Sequence, residues 1–126
     1  MEISRPRKIF IVDDDEMLTE ALSDYLTRKT AHEIRVFHTG EDFVKHISEK
    51  PEVVILDYYL NSIKSDAANG LEILESVRKQ LKETQIIMLS SQESYIKAAR
   101  TIQKGAEQYI IKDENAFQKI AEAIHQ

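Results

Sequence analysis

Five short apolar runs, each followed by a stretch with helical periodicity, constrain this chain more than any other feature. Ile9 to Val12 is unbroken and rich in branched side chains, as expected of a strand buried on both faces. Met17, Leu18, Ala21, Leu22, Tyr25 and Leu26 then recur at helical spacing. The run Ile34 to Phe37 carries Arg35 inside it and reads as a sheet edge, and Phe43, Val44 and Ile47 mark a short helix behind it. Val53 to Leu56 is the second fully apolar run, followed after a polar stretch by Leu71, Leu74, Val77 and Leu81 on a third helix. Ile86 to Leu89 predicts a fourth strand and Tyr95, Ala98, Ala99 and Ile102 a fourth helix. Tyr109 to Ile111 and then Phe117, Ile120, Ala121 and Ile124 complete the series.

Parallel strands need crossovers, and helical crossovers cover the sheet they join. The pattern therefore predicts an α/β domain, a doubly wound five-stranded parallel sheet with five helices. At 126 residues the chain is expected to form a single domain over 1–126 with its core from about residue 7 onward.

Composition narrows the chemistry. With no cysteine, disulfides, thiol catalysis and thiolate zinc sites are excluded. Lys plus Arg is 17 against 22 Asp plus Glu, a net charge of -5, which argues against nucleic acid as a direct partner. The three glycines, Gly40, Gly70 and Gly105, are too dispersed for a phosphate-cradling loop. The first residues are too polar for a signal peptide, and no apolar run approaches the ~20 residues that span a bilayer, so a cytoplasmic location without membrane contact is expected.

In open parallel sheets, ligands bind beyond the carboxyl ends of the strands, near the point where strand order reverses. Asp13, Asp14 and Asp15 follow the first strand, Asp57 the third, Ser90 and Ser91 the fourth, and Lys112 the fifth. Each has an ordinary reading. Asp13 with Glu16, and Ser90 with Glu93, have capping-box spacing; Asp15 suits a helix cap; Lys112 suits a solvated surface. Capping is the better single-residue reading of Ser90. Asp57 resists such a reading, because it ends the most apolar strand and no helix start follows it.

Taken together, these residues form a chemical constellation. Two carboxylates ~5 Å apart at an effective dielectric of ~20 repel by roughly 3 kcal/mol, more than one lysine offsets for three acids. A hard divalent cation with oxygen ligands relieves that repulsion, and magnesium keeps room for phosphate oxygens. A metal, an ammonium and a hydroxyl aimed at one carboxylate suit phosphoryl transfer to that carboxylate.

From about Arg7 to its end, the chain resembles the receiver domains of two-component response regulators. Asp13 and Asp14 look like the family's acidic pair, Asp57 like its phosphoacceptor, Ser90 like its hydroxyl, Lys112 like its lysine and Tyr109 like its aromatic switch residue. The resemblance implies a flavodoxin-like strand order of 2-1-3-4-5. It also implies transfer of a phosphoryl group to Asp57 from a histidine kinase or histidine phosphotransfer protein, and slow self-catalysed loss of that group. Magnesium would be held by Asp14, Asp57 and the backbone carbonyl of Tyr59, and through water by Asp13. Ser90 and Tyr109 would then move inward and repack the surface of the fourth helix, fifth strand and fifth helix. A downstream protein, or on phosphorylation a second copy, would read that surface. The resemblance also implies that Tyr59 and Gln92 occupy positions that, in the family, tune how fast the phosphoryl group is lost.

The chain departs from the family in three places. Asp113 replaces the proline usual after the lysine, where a cis bond without proline would cost ~2.5 to 4 kcal/mol. Asn61 replaces a second proline. The stretch 61–69 is longer than usual and reads as a mobile loop or a partner-contacting flap, with Gly70 opening the third helix.

Two other functions compete at this point. Asp13 and Asp15 with Ser90 and Lys112 loosely resemble a haloacid-dehalogenase-like phosphatase, a reading that leaves Asp57 unexplained. A receiver fold serving as a phosphorylation-independent interaction module leaves the complete acid, hydroxyl and lysine set unexplained. His32, His38, His46 and His125 show no ligand spacing and are expected to be exposed.

Overall fold

The computed structural model describes residues 6–29, 31–60 and 70–124. Strands β1 (Lys8–Val12), β2 (Glu33–Phe37), β3 (Val53–Asp57), β4 (Gln85–Ser90) and β5 (Gln108–Ile111) form one sheet. All four pairings are parallel, and the order is β2-β1-β3-β4-β5. Five helices connect and cover them: α1 (Glu16–Lys29), α2 (Gly40–Lys45), α3 (Gly70–Arg78), α4 (Tyr95–Gln103) and α5 (Ala116–Ile124). The predicted architecture and strand order are both observed.

Alternation along the central strands divides the core in two. Phe10, Val12, Val54, Leu56, Ile86 and Met88 meet Phe43 of α2 and Ile73, Leu74 and Val77 of α3. Ile9, Ile11, Val53, Ile55, Ile87 and Leu89 face the other way, onto Leu22 and Leu26 of α1 and Ile120, Ala123 and Ile124 of α5. Every residue of β3 is buried, whereas β2 alternates as a solvated edge does. Arg35 within β2 reaches sideways to Glu49 Oε1 at 2.6 Å instead of entering the core.

Several local expectations need correction. Leu81 lies beyond α3, which ends at Arg78, and is buried from the following turn. That turn is held by the Arg78 guanidinium, which donates to the carbonyls of Leu81 and Thr84 at 2.7 Å each and to Gly105 at 3.0 Å. Gly105 has a φ of +117°, and a Cβ there would come within 2.9 Å of the Arg78 side chain, so glycine serves both backbone and neighbour. Ile47 belongs to a separate 3-10 turn, Ile47–Glu49, rather than to α2. His32 is buried and not exposed: its Nδ1 accepts the Arg7 N–H at 2.9 Å, tying the approaches to β1 and β2 together. The largest departure is α4, where Tyr95 is 90% exposed and Ile102 48%, while Thr101 is completely buried.

Candidate functional site

Register alone brings the acids together. Val12 is paired with Leu56, so the next residues, Asp13 and Asp57, meet at the crevice between β1 and β3 where strand order reverses. Asp57 is in turn paired with Leu89, and Ser90 with Ile111, which puts Ser90 and Lys112 one step beyond on the same rim. No expected site residue among Asp13, Asp14, Asp57, Ser90 and Lys112 falls elsewhere.

Asp13 and Asp57 are 1% and 3% exposed. The Lys112 ammonium bridges them, 2.9 Å from Asp13 Oδ2 and 3.1 Å from Asp57 Oδ1. The other Asp13 oxygen, Oδ1, accepts the Asp15 N–H at 3.0 Å, and Asp57 Oδ1 accepts the Tyr59 N–H at 3.3 Å. Asp15 itself caps α1 through its Oδ1, which accepts the Leu18 N–H at 3.1 Å, so the third acid of the run is a cap.

Lys112 is aimed without a proline after it. Its backbone N–H donates to the Ser90 carbonyl at 2.7 Å, and Asp113 turns the chain by donating its N–H to the Ile111 carbonyl at 2.8 Å. Among the described residues no peptide bond is cis, so the bond from Lys112 to Asp113 is trans.

Burial is the main cause that pushes the Asp57 carboxyl up to about 6, and the Asp13 charge adds to it, while Lys112 pulls the other way. Burial also acts to lower Lys112, but its bonds and charges with Asp13 and Asp57 outweigh that and raise it. The cluster thus holds a charged ammonium and more negative charge than that ammonium balances.

One carboxylate oxygen from each of Asp13, Asp14 and Asp57 lies within 4.8 Å of the other two, the only such group among the described residues. Three carboxylates of hard oxygen donors fit a hard divalent cation. They border a cleft of about 350 Å³ that is also lined by Tyr59, Ser91 and Lys112. Small molecules carrying a phosphoryl group have room to enter it.

The hydroxyl and aromatic positions are tied to one loop. Ser90 is fully buried, and its Oγ accepts the Gln92 N–H at 3.1 Å. The cap of α4 is Ser94, whose Oγ accepts the Lys97 N–H at 3.2 Å, which corrects the capping-box reading of Ser90. Tyr109 donates its hydroxyl to the Gln92 carbonyl at 2.7 Å and packs edge-on against Tyr58, ring centres 6.3 Å apart.

Two further residues were not legible beforehand. Gly70 donates its N–H to the Tyr58 carbonyl at 3.0 Å, and a Cβ at this position would sit 2.0 Å from the Asp57 carbonyl oxygen. Its expected place at the start of α3 is observed, but the close approach that requires glycine there is a tertiary fact. Lys97 reaches back from α4 to the Gln92 side-chain oxygen, and its position in the sequence gives no sign of this. The proposed flap over 61–69 lies outside the described residues.

A doubly wound sheet with acids, a hydroxyl and an ammonium on its carboxyl rim defines a class of domain that presents a carboxylate in an open cleft. The chain belongs to the response regulator receiver domain family, whose model matches residues 9–125. It is similar to the response regulator protein VraR of Staphylococcus saprophyticus, 31% identical over 121 residues, covering 94% of this chain and 55% of that protein. It is also similar to the probable C4-dicarboxylate response regulator DctR of Bacillus subtilis, 34% identical over 109 residues, covering 83% of this chain and 45% of that one. The chain thus spans about half the length of these curated relatives. Among solved structures, the BeF3-activated receiver domain of DrrB matches with a TM-score of 0.83 and 26% identity over 96% of each chain. Family membership removes the ground for the phosphatase reading, which leaves the central Asp57 unexplained. Among the described residues no helix is long and apolar enough to cross a membrane.

Proposed function

We propose that this receiver domain is a phosphoacceptor switch in which Asp57 takes a phosphoryl group from a phosphohistidine of a histidine kinase or histidine phosphotransfer protein. The observation that carries the reading is a buried Asp57 carboxylate shared with Asp13 across one ammonium, at the mouth of an open cleft. An Asp57 oxygen attacks phosphorus, a P–O bond forms, and the P–N bond to the donor imidazole breaks with its electron pair going to nitrogen. Lys112, 3.1 Å from that carboxylate, is placed to neutralise charge on the phosphoryl oxygens. Ser90, at the same rim, becomes a hydrogen-bond donor to the phosphoryl group once its hydroxyl turns from the Gln92 carbonyl, to which it donates at 3.4 Å.

Asp13, Asp14 and Asp57, with the Tyr59 backbone carbonyl, are the proposed holders of Mg2+. When bound, the ion supplies positive charge for the transferring group and relieves the repulsion among the acids. Movement of Ser90 and Tyr109 would repack α4, β5 and α5, the proposed surface for a downstream protein or a second copy. The whole of 1–126 is proposed to act as one domain, in the cytoplasm.

The test is phosphorylation by acetyl phosphate with and without Mg2+, read as an intact-mass shift beside Asp57→Asn. The expected result is one Mg2+-dependent phosphoryl adduct that the variant lacks. A folded, Mg2+-binding protein that acquires no adduct would instead be a phosphorylation-independent interaction module. An adduct that persists in Asp57→Asn would move the acceptor to the acids after β1.

A further inference from the structure

Gln92 is held by five hydrogen bonds. Its N–H donates to Ser90 Oγ at 3.1 Å, and its carbonyl accepts from the Tyr109 hydroxyl at 2.7 Å and from the Ser90 hydroxyl at 3.4 Å. Its side-chain Oε1 accepts from the Tyr59 hydroxyl at 3.1 Å and from the Lys97 ammonium. Lys97 also lies over the Tyr59 ring, 5.3 Å from its centre, so one cation engages both halves of the Tyr59–Gln92 pair.

An exposed lysine ordinarily contributes little, because surface pairs give about 0 to 1 kcal/mol and are screened by solvent. Lys97 differs from that ordinary case in what it touches. Among the described residues it pairs with no carboxylate; its partners are an amide oxygen and an aromatic face. Its own N–H is fixed by the Ser94 cap at the first turn of α4, so the chain leaves a rigid base. Tyr59 lines the cleft and donates its N–H to the Asp57 carboxylate, which places the far end of this bridge at the acceptor.

We propose that Lys97 is a positioning residue that keeps Tyr59, which lines the cleft, fastened to Gln92 beside it and so lengthens the life of the phosphoryl group on Asp57. This rests on the phosphoacceptor reading above. Loss of the group requires a water oxygen to attack phosphorus while the P–O bond to Asp57 breaks, its electrons returning to the carboxylate. The water proton passes to solvent and inorganic phosphate leaves. A fastened Tyr59–Gln92 pair narrows the space from which that water approaches. Without the ammonium, Gln92 Oε1 keeps only the Tyr59 hydroxyl, and the pair opens more often.

The experiment phosphorylates the full chain with acetyl phosphate and Mg2+, removes the donor and follows decay of the adduct by intact mass. Lys97→Met, Lys97→Arg and the parent are compared, with Asp57→Asn fixing the acceptor. Lys97→Met is expected to shorten the half-life about threefold to tenfold, the range one net hydrogen bond spans. Lys97→Arg, which retains a donor and a cation, is expected to remain within about twofold of the parent by the same measure. The thermal midpoint of the unphosphorylated protein should be unchanged in both. A half-life in Lys97→Met equal to or longer than the parent's, or an equal shortening in Lys97→Arg, overturns the role of the cation while leaving Asp57 as acceptor. Absence of any adduct, or one surviving in Asp57→Asn, overturns the phosphoacceptor reading and the positioning role with it.

Discussion

Asp57 and Asp13 share the Lys112 ammonium, and neither has enough water around it to disperse its charge. Asp57 is therefore held in the fold at a higher pKa, about 6, than its ordinary 3.8. A raised folded-state value contributes stability that is complete below the unfolded pKa, near 4, and is lost as pH rises through about 6. A shift of that size corresponds to about 3 kcal/mol of stability lost by pH 7. In buffer free of divalent ions, Asp57→Asn should thus melt several degrees above the parent at pH 7, with the gap closing near pH 4. Adding Mg2+ should raise the parent's midpoint more than the variant's, since the variant lacks one of the three carboxylates. Thermal scans at the two pH values check this, and a gap that does not change between them contradicts it.

At the scale of elements, α4 is packed with its chemistry reversed. Its one fully buried residue is Thr101, and the Thr101 hydroxyl has no hydrogen-bond partner among the described residues, while Tyr95, Ile96 and Ile102 are exposed. A buried, unpaired hydroxyl costs about 1 to 3 kcal/mol. Thr101→Val, which keeps the branched shape and removes the hydroxyl, is expected to stabilise the domain by about 1 kcal/mol, seen as a higher urea midpoint at unchanged slope. A lower midpoint would mean the hydroxyl has a partner worth more than its burial costs. This helix also marks the boundary of what the sequence discloses. Strand positions were legible because a doubly covered sheet demands unbroken apolar runs, and the rim residues were legible because they follow those runs directly. The periodicity of Tyr95, Ala98 and Ile102 identified a helix but named the wrong face, since burial there is decided by the fit against β5 and not by apolarity. Ser90 and Ser94 show the same limit: both precede a helical stretch, and only the turn between them decides which one is the cap. Arg78, His32 and Lys97 act across turns or between distant elements, where no spacing rule reaches.

Across the whole molecule, order falls from the centre of the sheet toward its edges. β1, β3 and β4 are almost wholly buried and paired on both sides, whereas β5 is an edge of four residues with partial exposure, bordered by α4. Amides of β1, β3 and β4 should therefore exchange only through global unfolding, while those of α4 and β5 exchange through cheaper local openings. Native-state hydrogen exchange read by mass spectrometry checks this, and protection in β5 equal to that in β3 would contradict it. The graded order separates two tasks: the firm strands carry the acids, and the looser border carries Tyr109 and the helix that holds Gln92. A version of this protein that hid Tyr95, Ile96 and Ile102 and showed Thr101 to water would be sturdier. Under the proposed switch role it would also be mute, because it would have given up the apolar surface that α4 leaves uncovered.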